Sequence, residues 1–176
     1  MDGGFLAYLQ QLELIAFFSG YPLIYALSYF IAGNKKIKKG FIGFLLPSLP
    51  FSYALIGMLF LGLQLKNLYP HYSLANINGH MQHPYLVTWA LLAILFLMPV
   101  FRKKNQLTLI HSFAFFALIL IDLFKQLSVS NGVVQNDMKV YSFSLLLNCC
   151  TLLVMTSIFF FFNLSQKKAD KKLRFK

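Results

Sequence analysis

The sequence predicts an all-α, polytopic integral membrane protein with five transmembrane helices, the N-terminus outside the cell and the C-terminus in the cytoplasm. Of its 176 residues, 58% are hydrophobic and 12% are charged, which is more apolar surface than a soluble core of this size can bury. Its uncharged runs are also long enough to cross a bilayer core, which takes about 20 residues. We expect one membrane domain over residues 1–176.

Basic residues give the chain a formal net charge of +11. They are concentrated in three short clusters beside apolar runs, at residues 35–39, 102–104 and 167–176. A basic face on a globular domain would suggest nucleic acid, but clusters at the ends of apolar runs are typical of the cytoplasmic side of membrane proteins. We therefore expect lipid and no nucleic acid as a partner.

The first predicted span covers residues 5–32. Its first turns alternate apolar and polar residues at helical spacing, which indicates an amphipathic segment at the membrane interface. Pro22 is expected to kink the span. The chain starts without the basic region of a cleavable signal peptide, so we expect this segment to stay in the mature protein.

The second predicted span covers residues 41–65 and contains Pro47 and Pro50. Each proline removes a backbone donor and clashes with the carbonyl one turn earlier, so we expect a helix break there, as a bend or an unwound turn. Broken helices near mid-membrane often line ion or substrate sites. A kink that only shapes packing is the alternative, and we favour it.

The remaining spans follow in quick succession. Pro84 starts the third because the missing N–H of proline is not needed in the first helical turn. A basic turn and then a polar loop at residues 130–137 separate the later elements. The predicted segments are residues 84–101, 107–127 and 140–164, followed by a basic cytoplasmic tail at residues 165–176.

Five spans place the two termini on opposite sides of the membrane. The three basic clusters then share one side, against Lys66, Lys125 and Lys139 on the other. The positive-inside bias assigns the clustered side to the cytoplasm. We interpret the chain as a multi-pass protein of the bacterial inner membrane.

The fourth predicted span carries two ionisable residues, His111 and Asp122. They are eleven residues apart, about three helical turns, so they share one face to within roughly 20°. Because ionisable groups avoid lipid, this face should point into the bundle. It forms either part of a proton or ion path or a structural arrangement in which Asp122 pairs with Lys125. We favour the structural arrangement.

Glu13 and the fifth span supply the other polar candidates. Glu13 lies either within the membrane, near Asp122, or at the interface, where it ends the amphipathic segment. Gly20, one heptad later, would permit a close helix approach. On the fifth span, Asn148 lies in a narrow polar sector that we interpret as interhelical hydrogen bonding. The sector consists of Tyr141, Ser144, Asn148 and Thr151, and we expect the adjacent Cys149 and Cys150 to be small packing residues.

The outer loop carries three histidines, of which two have H-x-x-H spacing. Neutral imidazoles are ligands for zinc, copper, iron and nickel. However, Pro84 forces its preceding residue into an extended conformation, and histidine is common at membrane interfaces. We therefore expect no metal and no cofactor; the residues that would bind a metal are His71, His80 and His83.

The basic tail is the last candidate site. Close to anionic lipid, each basic residue contributes up to about 1 kcal/mol of binding free energy. An acidic partner protein is the alternative ligand, and a solvated topology anchor is the default. The residues concerned are Lys167, Lys168, Lys171, Lys172, Arg174 and Lys176.

No catalytic set is recognisable in the sequence: it has no nucleophile beside a base, no phosphate-binding loop and no redox CxxC. We therefore expect a non-enzymatic integral membrane subunit of a larger envelope complex, such as a secretion, transport or respiratory assembly. The alternative is a small oligomeric channel or transporter that uses the broken second helix. A metal- or haem-dependent membrane enzyme is the third class.

Overall fold

A computed structural model describes residues 13–33, 40–67, 84–102, 105–126 and 131–174. These residues are helical apart from short turns, and none of them lies in a strand. After helical residues 13–18, the elements are α1 (Tyr21–Gly33), a 3-10 helix (Gly40–Phe44), α2 (Leu45–Asn67), α3 (Pro84–Leu95), α4 (Pro99–Arg102), α5 (Asn105–Gln126) and α6 (Asn131–Arg174).

Three helices in the described part of the chain are long and apolar enough to cross a membrane. They match the first, second and fifth predicted spans and cover Glu13–Ala32, Gly40–Lys66 and Met138–Gln166. The predicted all-helical fold is therefore confirmed for the described residues, and the three long apolar helices are consistent with the predicted membrane-protein class. The fourth predicted span contains a shorter apolar helix, Gln106–Ile121.

The first span is interrupted by a turn at Ser19 and Gly20. Pro22 explains the interruption, because it has no N–H for the carbonyl of Phe18 and its ring clashes with that carbonyl. The chain resumes as α1 with Pro22 in the first turn, where a missing donor costs nothing. The proline thus starts a new helix segment instead of bending one helix.

The second span has no unwound turn at Pro47 or Pro50, which is one of the two forms of break predicted there. The α-helix is continuous from Leu45 to Asn67, and Pro50 lies inside it. Pro47 lies in the first turn, where its missing N–H has no intrahelical partner to lose. The Ser48 hydroxyl donates to the carbonyl of Phe44 at 2.8 Å. The change of helix type, from 3-10 to α, therefore precedes both prolines.

The third predicted span is broken instead, at residues 96–98. The backbone N–H groups of Leu97 and Met98 donate to carbonyls only three residues earlier, those of Ile94 and Leu95, both at 3.0 Å. Pro99 follows, and a proline disfavours helical backbone at the residue before it. This proline therefore separates α3 from the short helix α4.

Helix α6 is much longer than the predicted fifth span. It contains 44 residues, which at about 1.5 Å per residue is a length of roughly 66 Å, about twice a bilayer core. The predicted polar loop forms its first turns, and most of the predicted basic tail forms its last turns. Asn and Ser, the residues that suggested a turn near position 130, are also favoured at helix N-termini.

The centre of the bundle is aromatic. Phe18 contacts the rings of Tyr53, Phe60 and Phe115, with centroid distances of 5.7, 6.0 and 5.9 Å. All four side chains are buried. The first span, α2 and α5 therefore meet at one apolar core, around which the polar contacts are arranged.

Candidate functional site

The turn in the first span is held by α6. The N–H of Gly20 donates to the hydroxyl of Ser144 at 2.8 Å. A Cβ at position 20 would lie 2.7 Å from the backbone nitrogen of Leu145, so only glycine allows the two backbones to approach this closely. The close helix approach predicted at Gly20 is found here.

Asn148 lies one helical turn after Ser144 on α6 and contacts the same interruption of the first span. Its Nδ2 donates to the carbonyl of Phe17 at 2.9 Å and to the carbonyl of Ser144 at 2.8 Å. The side chain is only 1% exposed. Its Oδ1 has no hydrogen-bond partner among the described residues. Of the predicted polar sector, Ser144 and Asn148 thus connect two helices.

A second polar contact links the first span to α2 and α5. The Tyr21 hydroxyl lies 3.0 Å from the Thr108 hydroxyl and donates to the carbonyl of Leu49 at 3.2 Å. Tyr21 and Thr108 are both buried. Because hydroxyl groups both donate and accept hydrogen bonds, this contact joins the first span, α2 and α5 and stabilises their packing.

His111 on α5 is half-buried and contacts α2 and α3. Its Nδ1 is 2.6 Å from the Tyr53 hydroxyl, and its ring stacks on Trp89 with centroids 4.2 Å apart. Its Nε2 is buried without a partner in the described part of the chain. Its neighbours make it part of the packed core.

Glu13 bonds to α2. Its Oε2 accepts from Nε2 of Gln64 at 2.8 Å, which is an interhelical contact near the end of the second span. The backbone of Asp122 lies in α5, as expected for the fourth span. The side chains of Asp122 and Lys125 are outside the described residues. A cluster of Glu13, Asp122 and Lys125 remains a prediction.

The other candidates fall mostly outside the described side chains. His71, His80 and His83 lie in the segment between α2 and α3, outside the described residues. Lys176 also lies outside them, whereas the other basic residues of the tail belong to α6 by backbone only. Within the described residues, no group of three or more His, Cys, Asp and Glu could hold a metal ion.

Sequence reasoning missed several contacts. Ser48 on α2 lies 2.8 Å from the Thr156 hydroxyl on α6, and Tyr53 was not identified as the partner of His111. Serine and threonine in membrane helices are a general signal for such bonds, but the pairing needs the packing. Cys149 and Cys150 are exposed on this chain, so they do not pack inside the bundle.

Several of the described polar side chains act in small groups that join one helix to another. Each such bond is worth about 1 kcal/mol in a membrane, and together they fix the crossing of the first span over α2, α5 and α6. Three buried side-chain atoms have no hydrogen-bond partner among the described residues: Trp89 Nε1, His111 Nε2 and Asn148 Oδ1. No protein-family model, curated protein or solved structure matches this chain.

Proposed function

We propose that the chain is a non-enzymatic integral membrane subunit of a larger envelope complex, such as a secretion, transport or respiratory assembly. The observation that supports this proposal is the uneven burial of the spans. Only 22% of the apolar window in Met138–Gln166 is buried, against 56% for Glu13–Ala32 and 50% for Gly40–Lys66. Among the described residues, the apolar part of helix α6 is therefore the least covered of the three long spans.

The exposed surface of α6 contains a stripe that suits another helix. At about 100° per residue, its members lie within roughly 80° of one another. Two small residues seven positions apart, Cys150 and Ser157, alternate with larger ones, and small residues let membrane helices approach closely. This outer stripe consists of Phe143, Leu146, Cys150, Leu153, Ser157 and Phe161.

The length of α6 also supports an assembly role. The helix continues past its apolar part into residues 167–174, most of which are basic. A continuous helix transmits position rigidly from the membrane to a partner at its surface. We propose that this basic end contacts anionic lipid or an acidic partner protein.

We also propose the orientation and location: five spans, the N-terminus outside, the C-terminus in the cytoplasm, and the bacterial inner membrane. The distribution of basic clusters supports this orientation. The two segments between the confirmed long helices, residues 84–102 and 105–126, each begin or end beside the basic cluster at residues 102–104. We propose these two segments as the third and fourth spans.

Photocrosslinking tests the assembly proposal. A photoreactive amino acid at Leu153, on the outer stripe, should capture another membrane protein in native membranes. The matched control is Ile110 on α5, which is also exposed and apolar but lies outside the stripe and should capture mainly lipid. Lipid adducts alone at both positions would refute the proposal.

A small channel or transporter is the second candidate. The break at Ser19 and Gly20, together with the unpartnered Asn148 Oδ1, favours it, and the site then lies in the first span instead of the second. Substitution Asn148→Leu should abolish solute flux in liposomes while the protein still inserts. No measurable flux from the parent protein would exclude this candidate.

A further inference from the structure

The exposed side of α6 continues in register into the basic end of the same helix. Phe161 and Leu164 are 67% and 40% exposed. Lys168 follows Phe161, and Lys171 follows Leu164, after seven residues, an interval that returns a helix to within about 20° of the same direction. Asp170, the acid of residues 167–174, comes nine residues after Phe161, which is about 180° around the helix. The outer stripe is therefore continued by basic positions, with the acid on the opposite side.

Other basic residues at this end of α6 have the register of an inward side. Lys167 and Arg174 follow Phe160 by seven and fourteen residues. The ring of Phe160 packs against that of Phe41 at the start of the second span, with centroids 5.8 Å apart. These two basic positions therefore continue the side of α6 that contacts the bundle.

The length of the apolar part of α6 distinguishes a protein partner from lipid. Residues 140–166 carry no charge and are about 40 Å long at about 1.5 Å per residue. A bilayer including its headgroups is about 40–45 Å thick. Lys168 and Lys171 come after that length, so anionic headgroups reach them only at their outer edge. A protein segment beyond the end of its own span lies at their level.

Charge opposes a second copy of this chain as the occupant of the outer stripe. Residues 167–174 contain five basic residues and one acid, and two copies inserted in the same direction would place these ends side by side. Like charges brought together across an interface cost binding free energy. An acidic segment at the same level would instead form charge-assisted hydrogen bonds with the lysines.

We propose that the outer stripe binds a transmembrane helix of a different membrane protein, which carries acidic residues just beyond its own span. Its apolar part packs along α6 from Phe143 to Phe161, and its acidic residues pair with Lys168 and Lys171. This inference rests on the proposed function and adds the chemistry by which the partner is recognised.

Charge reversal combined with photocrosslinking in native membranes tests the inference. The photoreactive amino acid stays at Leu153, and the test variant combines Lys168→Glu with Lys171→Glu. The matched control combines Lys167→Glu with Arg174→Glu, which changes the net charge equally at the same end of the helix. The adduct yield is measured per inserted chain, and mass spectrometry identifies the captured protein.

The test variant should lose the adduct by about fivefold or more, because each reversal replaces an attraction with a repulsion, while the control keeps it. Equal yields in the two variants would overturn the inference and leave the proposed function standing, since the parent chain still captures a partner. A captured protein without acidic residues at that end of its span, or a second copy of this chain, would also overturn it. Lipid adducts alone from the parent chain would refute the proposed function and this inference with it.

Discussion

At the level of single residues, two glycines set how closely the helices approach. A Cβ at Gly20 would meet the backbone of α6 at 2.7 Å, and a Cβ at Gly57 would lie 2.9 Å from the carbonyl oxygen of Ala90. Backbone atoms cannot move aside as a flexible side chain can. These two positions therefore constrain the packing of the first span and of α3 against their neighbours.

Substitutions Gly20→Ala and Gly57→Ala should each destabilise the protein by about 1–3 kcal/mol, the usual cost of overpacking. Gly62→Ala is the matched control, because a Cβ there meets nothing within 4 Å and alanine favours the helix. Thermal unfolding in detergent measures the difference. The same melting temperature for Gly20→Ala and Gly62→Ala would contradict the close approach.

The pair of Tyr53 and His111 gives a second residue-level prediction. Tyr53→Phe leaves the half-buried imidazole of His111 without its hydrogen-bond partner at Nδ1 and should cost about 1–3 kcal/mol of unfolding free energy. Adding His111→Phe should recover part of that loss, because both polar groups are then absent. A double-mutant cycle of unfolding free energies measures the coupling, and additive losses would mean that the two groups do not interact.

The sequence predicts the polar residues at this scale but not their partners. The sector containing Ser144 and Asn148 follows from helical periodicity alone. Tyr21 and Tyr53, by contrast, resemble the tyrosines of a membrane interface, and only the crossing of helices brings their hydroxyls to Thr108 and His111. Pairing is a property of tertiary packing, which one helix does not encode.

At the level of elements, proline position decides whether a helix breaks. Pro22 and Pro99 each follow an interruption and start a new segment, whereas Pro47 and Pro50 lie in a continuous helix. All four have the same local chemistry. Pro47 lies in the first turn of α2 and Pro50 lies inside its continuous helix, a difference in position that the local sequence around each proline does not reveal.

Replacing Pro99 with leucine should therefore restore a donor for the carbonyl of Leu95 and join α3 to α4. Slower amide hydrogen exchange at Leu97 and Met98 would report the repaired helix. Pro50→Leu is the control, since α2 is already continuous, and it should leave exchange in α2 nearly unchanged. Unaltered exchange at residues 97–98 in Pro99→Leu would show that the proline does not cause the break.

The extension of α6 makes a further prediction for this element. Spin labels placed singly along residues 160–174 should show solvent and lipid accessibility that oscillates with a period of about 3.6 residues. The oscillation should continue beyond Gln166, where the apolar span ends. Accessibility without a period after that residue would mean that the basic segment is not helical.

At the level of the whole molecule, composition and charge determine what can be inferred. The membrane-protein class follows from hydropathy, because every long apolar run must be shielded from water whatever the fold. The proposed orientation rests on the number of basic residues on each side of the membrane. The uneven cover of α6 was not visible in the sequence, because burial depends on which helices surround it.

Orientation is tested by labelling single cysteines in a variant with Cys149→Ser and Cys150→Ser. A cysteine at position 175 should react with a membrane-impermeant thiol reagent only after the membrane has been permeabilised, so that the reagent reaches the cytoplasmic side. A cysteine at position 72 should react in intact cells. The opposite pattern would reverse the topology.

The central claim is that other membrane proteins cover the outer stripe of α6, and extraction of native membranes into polymer-bounded discs tests it most directly. Purified through a tag on this chain, the particles should contain at least one other membrane protein in a fixed ratio. Substituting Cys150 and Ser157 by phenylalanine should remove that protein while leaving the chain folded. Particles that hold this chain and lipid alone would contradict the claim.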